Sequence, residues 1–269
     1  FTHDQPFRPA APLLTMSLAV RTVRRLLSCS YLGVPHGNLW FSTTPPSLIY
    51  EELRKAYDTT ADRIWLCNCG DLKGSEASVS LFLSMAYDIS QFNADNVVHF
   101  QAEWLVKMFG DELRPAFEDI TRSAMRLAFQ RKPEYTGWGF WNNLWDGKGE
   151  KRTDTEFSFM NYHEAENRLD EYNRISGKAD SVMNCIPEAC RPALFQLLYY
   201  PVKGAALMNR MNLGGQLYRQ YAREGRSDAA VVRGDVSACL DSLKLITEEY
   251  NNILGGTTDW CQQSEAAGN

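Results

Sequence analysis

The sequence is 269 residues long and has 28 Lys and Arg residues against 33 Asp and Glu residues, a formal net charge of -5. Its composition, 44% hydrophobic and 23% charged, is that of a packed protein and excludes disorder of the whole chain. This charge gives no global field for nucleic acid, and the apolar runs fall far short of the roughly 20 residues that span a bilayer. We predict neither a nucleic-acid partner nor a membrane segment.

The first thirty residues show no sustained hydrophobic period. Pro6, Pro9 and Pro12 interrupt the start of this stretch, and Ser17 to Leu27 has room for a short basic helix at most. Periodic segments begin only after Tyr31. We therefore treat residues 1–30 separately from the rest of the chain.

A single α/β repeat is predicted next. Ser47 to Tyr57 has helical spacing, with its apolar residues on one stripe. Ile64 to Cys67 is a short apolar run of the kind that is buried on both faces in a parallel sheet. Helical spacing returns over Glu76 to Tyr87. The order helix, strand, helix indicates one unit of an α/β domain.

From residue 88 onward the pattern predicts helices and no further strand. The change of pattern places a domain boundary near residues 90–93, and Gly255-Gly256 ends the last helix before a disordered tail over 257–269. We expect a tryptophan-rich loop over 133–157 and a helix kink at Pro201. The predicted helices cover approximately residues 94–109, 111–131, 162–185, 188–200, 202–224 and 228–254.

Polar residues begin where the predicted strand ends. Asn68, Asp71, Lys73 and Glu76 provide an amide, two carboxylates and an ammonium group. In α/β barrels and open sheets the carboxyl ends of the strands hold the active site, so these four residues are the candidate site. On spacing alone, a polar connecting loop without function is the alternative.

Cysteine spacing gives no sign of a metal centre. The chain has seven cysteines, and only Cys67 and Cys69 lie close together, in a C-x-C pattern that is neither a metal signature nor a disulfide framework. We predict no metal and no cofactor.

A series of motifs runs along the chain from about Tyr31 to Asn251. In the first part the motifs are Tyr31-Leu-Gly-Val-Pro-His-Gly-Asn-Leu-Trp40, Thr43-Thr-Pro-Pro46, Glu51-Glu-Leu-Arg-Lys-Ala-Tyr57, Arg63-Ile-Trp65, Asn68-Cys-Gly-Asp-Leu-Lys73 and Met85-Ala-Tyr-Asp88. The later motifs are Arg131-Lys-Pro-Glu134, Asn161-Tyr-His-Glu-Ala-Glu-Asn-Arg168, Tyr200-Pro-Val202 with Asn209, and Glu249-Tyr-Asn251. Together, and in this order, they resemble the xylan α-1,2-glucuronidases of glycoside hydrolase family 115.

The resemblance implies a mainly α fold. Residues 31–92 are then the closing βα segment of a catalytic (β/α)8-type barrel, so that a remnant of the barrel lies on the N-terminal side. Residues 93–256 form an α-helical bundle domain. The implied activity is inverting removal of glucuronic acid, or its 4-O-methyl form, α-1,2-linked to xylose in glucuronoxylan or a xylo-oligosaccharide. The implied location is secreted or extracellular, and a homodimer is left open.

The resemblance also assigns roles to the candidate residues. Asn68 matches an asparagine that contacts the sugar at the end of a barrel strand. Asp71 and Lys73 match the same motif, and both a sugar contact and an internal ion pair that holds the loop remain open for them. Inverting hydrolysis needs a general acid and a general base. The resemblance places both upstream, so we expect no catalytic residue in this chain and no activity of the chain alone. Family members usually have a β-rich C-terminal domain, which does not follow Trp260 here, so we expect truncation at both ends.

Residues 26–29 depart from the family pattern. Family members have a Tyr-Tyr-His motif where this sequence has Leu26-Leu-Ser28. Codons for Val-Tyr-Tyr-His-Val read out of register give Leu-Leu-Ser-Cys, the sequence of Leu26 to Cys29. We therefore hypothesise that residues 1–30 are a non-homologous or frame-shifted leader, with ordinary divergence as the alternative. For the chain as a whole, a non-catalytic helical module that holds polysaccharide or mediates protein association is the second functional hypothesis.

Overall fold

The computed structural model describes residues 25–28, 41–59, 61–68, 72–136 and 154–253. In these ranges the chain is helical almost throughout, which confirms the mainly α fold class. The two strands are β1 (Arg25–Ser28) and β2 (Trp65–Asn68). The α-helices are α1 (Pro46–Asp58), α2 (Glu76–Tyr87), α3 (Ala94–Val97), α4 (Phe100–Phe109), α5 (Arg114–Gln130), α6 (Glu164–Cys185), α7 (Arg191–Leu194), α8 (Tyr200–Arg223) and α9 (Ala229–Asn252).

Strands β1 and β2 form a parallel pair. Leu26 lies opposite Leu66, and Ser28 lies opposite Asn68, so both strands end at the same edge. The prediction of at most a short basic helix over Ser17 to Leu27 is wrong at its C-terminal end. Residues 25–28 are extended because they pair with β2, which is distant in the sequence, and the local spacing of apolar residues cannot reveal such a pairing.

Prolines mark the starts of several helices. Pro46 is the first residue of α1, and Pro201 lies in the first turn of α8. A proline has no N–H to donate, and it is tolerated in a first turn because that N–H would be unpaired. A kink is predicted at Pro201; the structure has a π-helical turn over Phe195–Tyr199, just before this proline, and the turn leads directly into α8.

Three hydrophobic clusters form the core of the described residues. One cluster lies between α1 and α2 and includes Leu53 and Phe82; it continues past residue 89 to Val97. A second joins α4, α5 and α6 to the start of α8, and a third joins Phe41 to α8 and α9. The α/β segment and the helices are therefore packed together, while the division at residues 92 and 93 stays a prediction.

The remaining predictions for the fold divide between described and undescribed residues. Of the loop over 133–157, the described part contains a 3₁₀ turn at Pro133–Tyr135, and the tryptophans at 138–145 lie outside the described residues. The described helices include none with the length and hydropathy of a membrane span.

Candidate functional site

The candidate site lies at the carboxyl end of β2. Residue 68 ends the strand beside Ser28 of β1, and the chain is described again from Leu72. Asn68 belongs to β2 through its backbone, and its side chain is not among those described. Asp71 lies outside the described residues. Lys73 and Glu76 are described with their side chains, and they make contacts with two different helical elements.

Lys73 holds the turn after β2 against the end of α9. Its Nζ donates a hydrogen bond to the backbone carbonyl of Tyr250 at 3.1 Å and lies 4.1 Å from the centre of the Tyr250 ring. An ammonium group over an aromatic face is attracted by the quadrupole of the ring. Of the two roles considered for Lys73, these contacts favour holding the loop, here through a carbonyl and an aromatic ring.

Glu76 is the first residue of α2 and contacts the π-helical turn. Gln196 Nε2 donates a hydrogen bond to Glu76 Oε1. Two residues earlier, Gly74 has a positive φ of 90°, a conformation that glycine adopts without the strain of a side chain. The chain can therefore turn sharply between Lys73 and Glu76, so that their side chains reach separate partners.

A small cleft opens beside Glu76. It is lined by Phe41, Thr43, Tyr172 and Gln196 among others, and its volume is about 60 Å³. Ligand pockets usually have volumes of about 300 Å³ or more. The described residues at this cleft therefore enclose space for solvent but too little for a sugar ring.

An aromatic stack supports Tyr250 from behind. The Tyr250 ring lies 4.2 Å from the Tyr200 ring, and Tyr200 packs against Phe41 at 5.7 Å. Burial raises the pKa of the Tyr200 hydroxyl to about 12, and this hydroxyl lies 3.3 Å from Thr247 Oγ1. The stack therefore connects α9, through Tyr200 of α8, to Phe41 in the segment that precedes α1.

Lys132 and Glu134 hold that segment from the other side. Glu134 Oε1 accepts a hydrogen bond from the Phe41 backbone N–H at 3.0 Å. Lys132 Nζ donates to Thr43 Oγ1 at 2.8 Å and to the Thr43 carbonyl at 3.3 Å. Burial lowers the pKa of the Lys132 ammonium to about 8, against the opposing effect of the Glu134 charge. Residues 41–43 are thus bonded to the chain immediately after α5.

Arg168 joins three helical elements inside the bundle. Its guanidinium donates to Asn209 Oδ1 at 2.8 Å, to the Leu127 carbonyl at 3.0 Å and to the Arg131 carbonyl at 2.7 Å. Burial lowers the pKa of Arg168. These bonds connect two of the motifs that resemble family 115, and they give Arg168 and Asn209 a structural role.

Sequence reasoning did not assign Lys132, Glu134, Tyr200 or Tyr250 to the site. The signal that could have found them was present, because all four lie in the motifs that resemble family 115. No group of His, Cys, Asp and Glu side chains in the described part of the chain could hold a metal ion.

Comparison with known proteins supports the resemblance. Residues 27–135 match the family described as glycosyl hydrolase family 115, a match that begins within the stretch 1–30 and crosses the predicted boundary near residue 92. A solved structure described as a novel family GH115 4-O-methyl-α-glucuronidase, BtGH115A, with specificity for decorated arabinogalactans, is 29% identical with a TM-score of 0.74. The similarity covers 88% of this chain and 30% of BtGH115A, so the chain spans about a third of that protein. No curated protein matches the chain. The predicted resemblance to family 115 is confirmed.

Proposed function

We propose that this chain forms one wall of the active site in a family 115 glycosidase that removes glucuronic acid, or 4-O-methylglucuronic acid, from a decorated polysaccharide. The family match over residues 27–135 supports this proposal, because it includes the end of β1, all of β2 and the Lys73–Glu76 turn. Glucuronoxylan is the substrate that the sequence predicts. The specificity of BtGH115A makes a decorated arabinogalactan the second substrate to test.

The observation on which the proposal depends is the open face of β2. Trp65 and Cys67 pack against the cluster between α1 and α2, whereas Ile64 and Leu66 are 46% and 55% exposed. Successive residues of a strand belong to opposite faces, so residue 68 shares the open face with Leu66. In a (β/α) barrel the face turned away from the helices is the interior, and its carboxyl end holds the substrate. The proposed barrel therefore puts Asn68 beside the sugar.

Roles follow from these positions. We assign the sugar contact to Asn68 and assign Lys73 and Glu76 to holding the turn after β2. An inverting glycosidase needs two carboxyl groups separated by roughly 6.5–9.5 Å, with a water molecule between them. Glu76 is bonded to Gln196, and Glu134 is bonded to the Phe41 backbone, so neither is assigned as the acid or the base. We propose that both catalytic groups come from other parts of the enzyme.

The proposal has consequences for location and partners. Polysaccharides of this kind lie outside the cell, and we propose a secreted or extracellular enzyme for that reason. The exposed Leu66 is an apolar group that further barrel strands would cover. No metal or cofactor is part of the proposed reaction.

The test is an NMR titration of the purified chain with 4-O-methylglucuronic acid, together with an assay for its release from glucuronoxylan and arabinogalactan. We expect resonance shifts in residues 64–76, no release by the chain alone, and loss of the shifts in Asn68→Ala. Asn252→Ala, an exposed asparagine at the end of α9, is the matched control. Shifts that are confined to other residues, or that persist unchanged in Asn68→Ala, contradict the proposed sugar contact.

A further inference from the structure

The π-helical turn over Phe195–Tyr199 lies inside one long helix. Helix α7, this turn and α8 follow one another without a break over residues 191–223. The Tyr200 N–H donates to the Phe195 carbonyl five residues earlier, whereas an α-helix bonds to the carbonyl four residues earlier. Pro201 has no N–H for such a bond, so the wider turn lies where a proline disturbs the α-helical pattern. Turns of this kind are rare and are frequent at functional sites.

Side chains of the π-helical turn make contacts on two sides. Gln196 Nε2 donates to Glu76 Oε1 at the start of α2, and the Tyr199 hydroxyl donates to Asp180 Oδ1 of α6 at 2.9 Å. Asp180 also accepts a hydrogen bond from Lys203 Nζ of α8 at 2.8 Å. One extra residue in a turn rotates the preceding residues by about 100° around the helix axis, so the π-helical turn determines which way Gln196 faces. The turn is therefore held to the bundle through Tyr199 and reaches the candidate site through Gln196.

The position of Glu76 is connected to β2 through the body of α2. Glu76 is the first residue of α2, and the Phe82 ring of the same helix lies 5.8 Å from the Trp65 ring of β2. Phe82 is buried in the cluster between α1 and α2, and Trp65 packs against that cluster. Close-packed interiors have few voids and transmit displacements from one element to the next. A shift at Glu76 should therefore move β2, and with it the strand end at residue 68.

We propose that Gln196 is a positioning residue for the proposed sugar contact of Asn68, acting through Glu76 and the packing of α2 on β2. This role rests on the proposed function and deepens it, since Gln196 controls the site without touching the sugar. The bond joins an amide to a carboxylate, and such a bond is stronger than one between two neutral groups. Its loss releases the start of α2 from the π-helical turn.

The test compares three variants with the unaltered chain by NMR. Gln196→Leu removes the donor. It should shift the amide resonances of residues 64–68 and weaken the binding of 4-O-methylglucuronic acid by up to about tenfold, the order of one hydrogen bond to a charged group. Gln196→Glu places a second carboxylate beside Glu76 and should have the same two effects. The double variant Gln196→Glu with Glu76→Gln exchanges donor and acceptor, so it should restore both the resonances and the affinity.

Gln220→Leu is the matched control, because Gln220 Nε2 donates to Glu224 Oε1 at 3.0 Å on the exposed side of α8. It should change neither the resonances nor the affinity. Unchanged resonances of residues 64–68 in Gln196→Leu, or a double variant that does not restore them, overturn the proposal. If Gln196→Leu does not fold, Gln196→Glu and the double variant decide in its place. If the unaltered chain binds no sugar, the proposed function fails, and the resonances of residues 64–68 alone decide the positioning role of Gln196.

Discussion

Replacement of Gly204 by alanine tests whether the segment before α1 is held rigidly against α8. A Cβ atom at position 204 would lie 2.6 Å from Cζ and 2.9 Å from Cε1 of Phe41, closer than carbon atoms approach without a shift. The Phe41 side chain is 1% exposed and packs on Tyr200, and its backbone N–H is bonded to Glu134. The ring therefore has little room to move away.

The magnitude follows from two opposing effects. Overpacking of a core costs about 1–3 kcal/mol. Alanine in place of glycine inside a helix recovers about 1 kcal/mol. Gly177 of α6 is the matched control, because a Cβ atom there has no neighbour within 4 Å. We expect Gly177→Ala to stabilise the chain by about 1 kcal/mol and Gly204→Ala to be about 1–3 kcal/mol less stable than this control.

Urea denaturation followed by circular dichroism measures both free energies of unfolding. Hydrogen exchange at residues 41–44 provides a second measurement, and Gly204→Ala should lower protection there more than Gly177→Ala does. Two variants of equal stability, with equal protection of residues 41–44, would refute the close packing of Phe41 on α8.

Three further predictions concern charged side chains. Since burial holds the Lys132 pKa near 8, below its ordinary 10.5, the unfolded chain binds more protons between these values and stability should rise with pH across that window. This rise is on the order of 3 kcal/mol at most, and Lys132→Met should abolish it when urea denaturation is repeated across the window. If the free energy of unfolding of Lys132→Met rises with pH as steeply as that of the unaltered chain, the lowered pKa does not belong to Lys132. Arg168→Met removes three hydrogen bonds to acceptors that are buried or half-buried, and it should cost at least about 2 kcal/mol in the same assay, whereas the exposed Arg63→Met should cost almost nothing. Hydrogen bonding from Arg174 holds the Asp119 pKa at about 2. Above pH 4, Asp119→Asn should therefore lower the free energy of unfolding by up to about 1 kcal/mol, and this loss should fade as the pH falls toward 2. A loss that persists at pH 2 refutes the prediction.

The secondary-structure elements could be predicted from the sequence wherever the apolar residues of a segment follow a single helical or strand spacing. Helix α2 has the predicted bounds Glu76–Tyr87, and α6 begins two residues after its predicted start. The strand at Ile64 to Cys67 is shifted by one residue. Strand β1 was not predictable in this way, because four residues give no period and the partner strand lies forty residues further along.

The candidate site was predictable only as a stretch of sequence. Position and composition identified the turn after β2, but its structural partners are remote. Lys73 contacts Tyr250, 177 residues away, and Glu76 contacts Gln196, 120 residues away. Pairs at such separations leave no signal in hydrophobic spacing. The resemblance to family 115 includes both Lys73 and Tyr250, yet it gives no indication that they touch.

These remote contacts indicate what the helices contribute to the proposed wall. A pair of four-residue strands has few hydrogen bonds, and an isolated two-stranded sheet is marginally stable in water. The turn after β2 is nevertheless fixed at two points, by Tyr250 at the end of α9 and by Gln196 before α8. Because Tyr250 in turn rests on Tyr200, the position of the turn depends on the packing of α8 against α9. The helical region therefore determines where the strand end lies, and substitutions between α8 and α9 should alter the proposed sugar contact without touching the sugar.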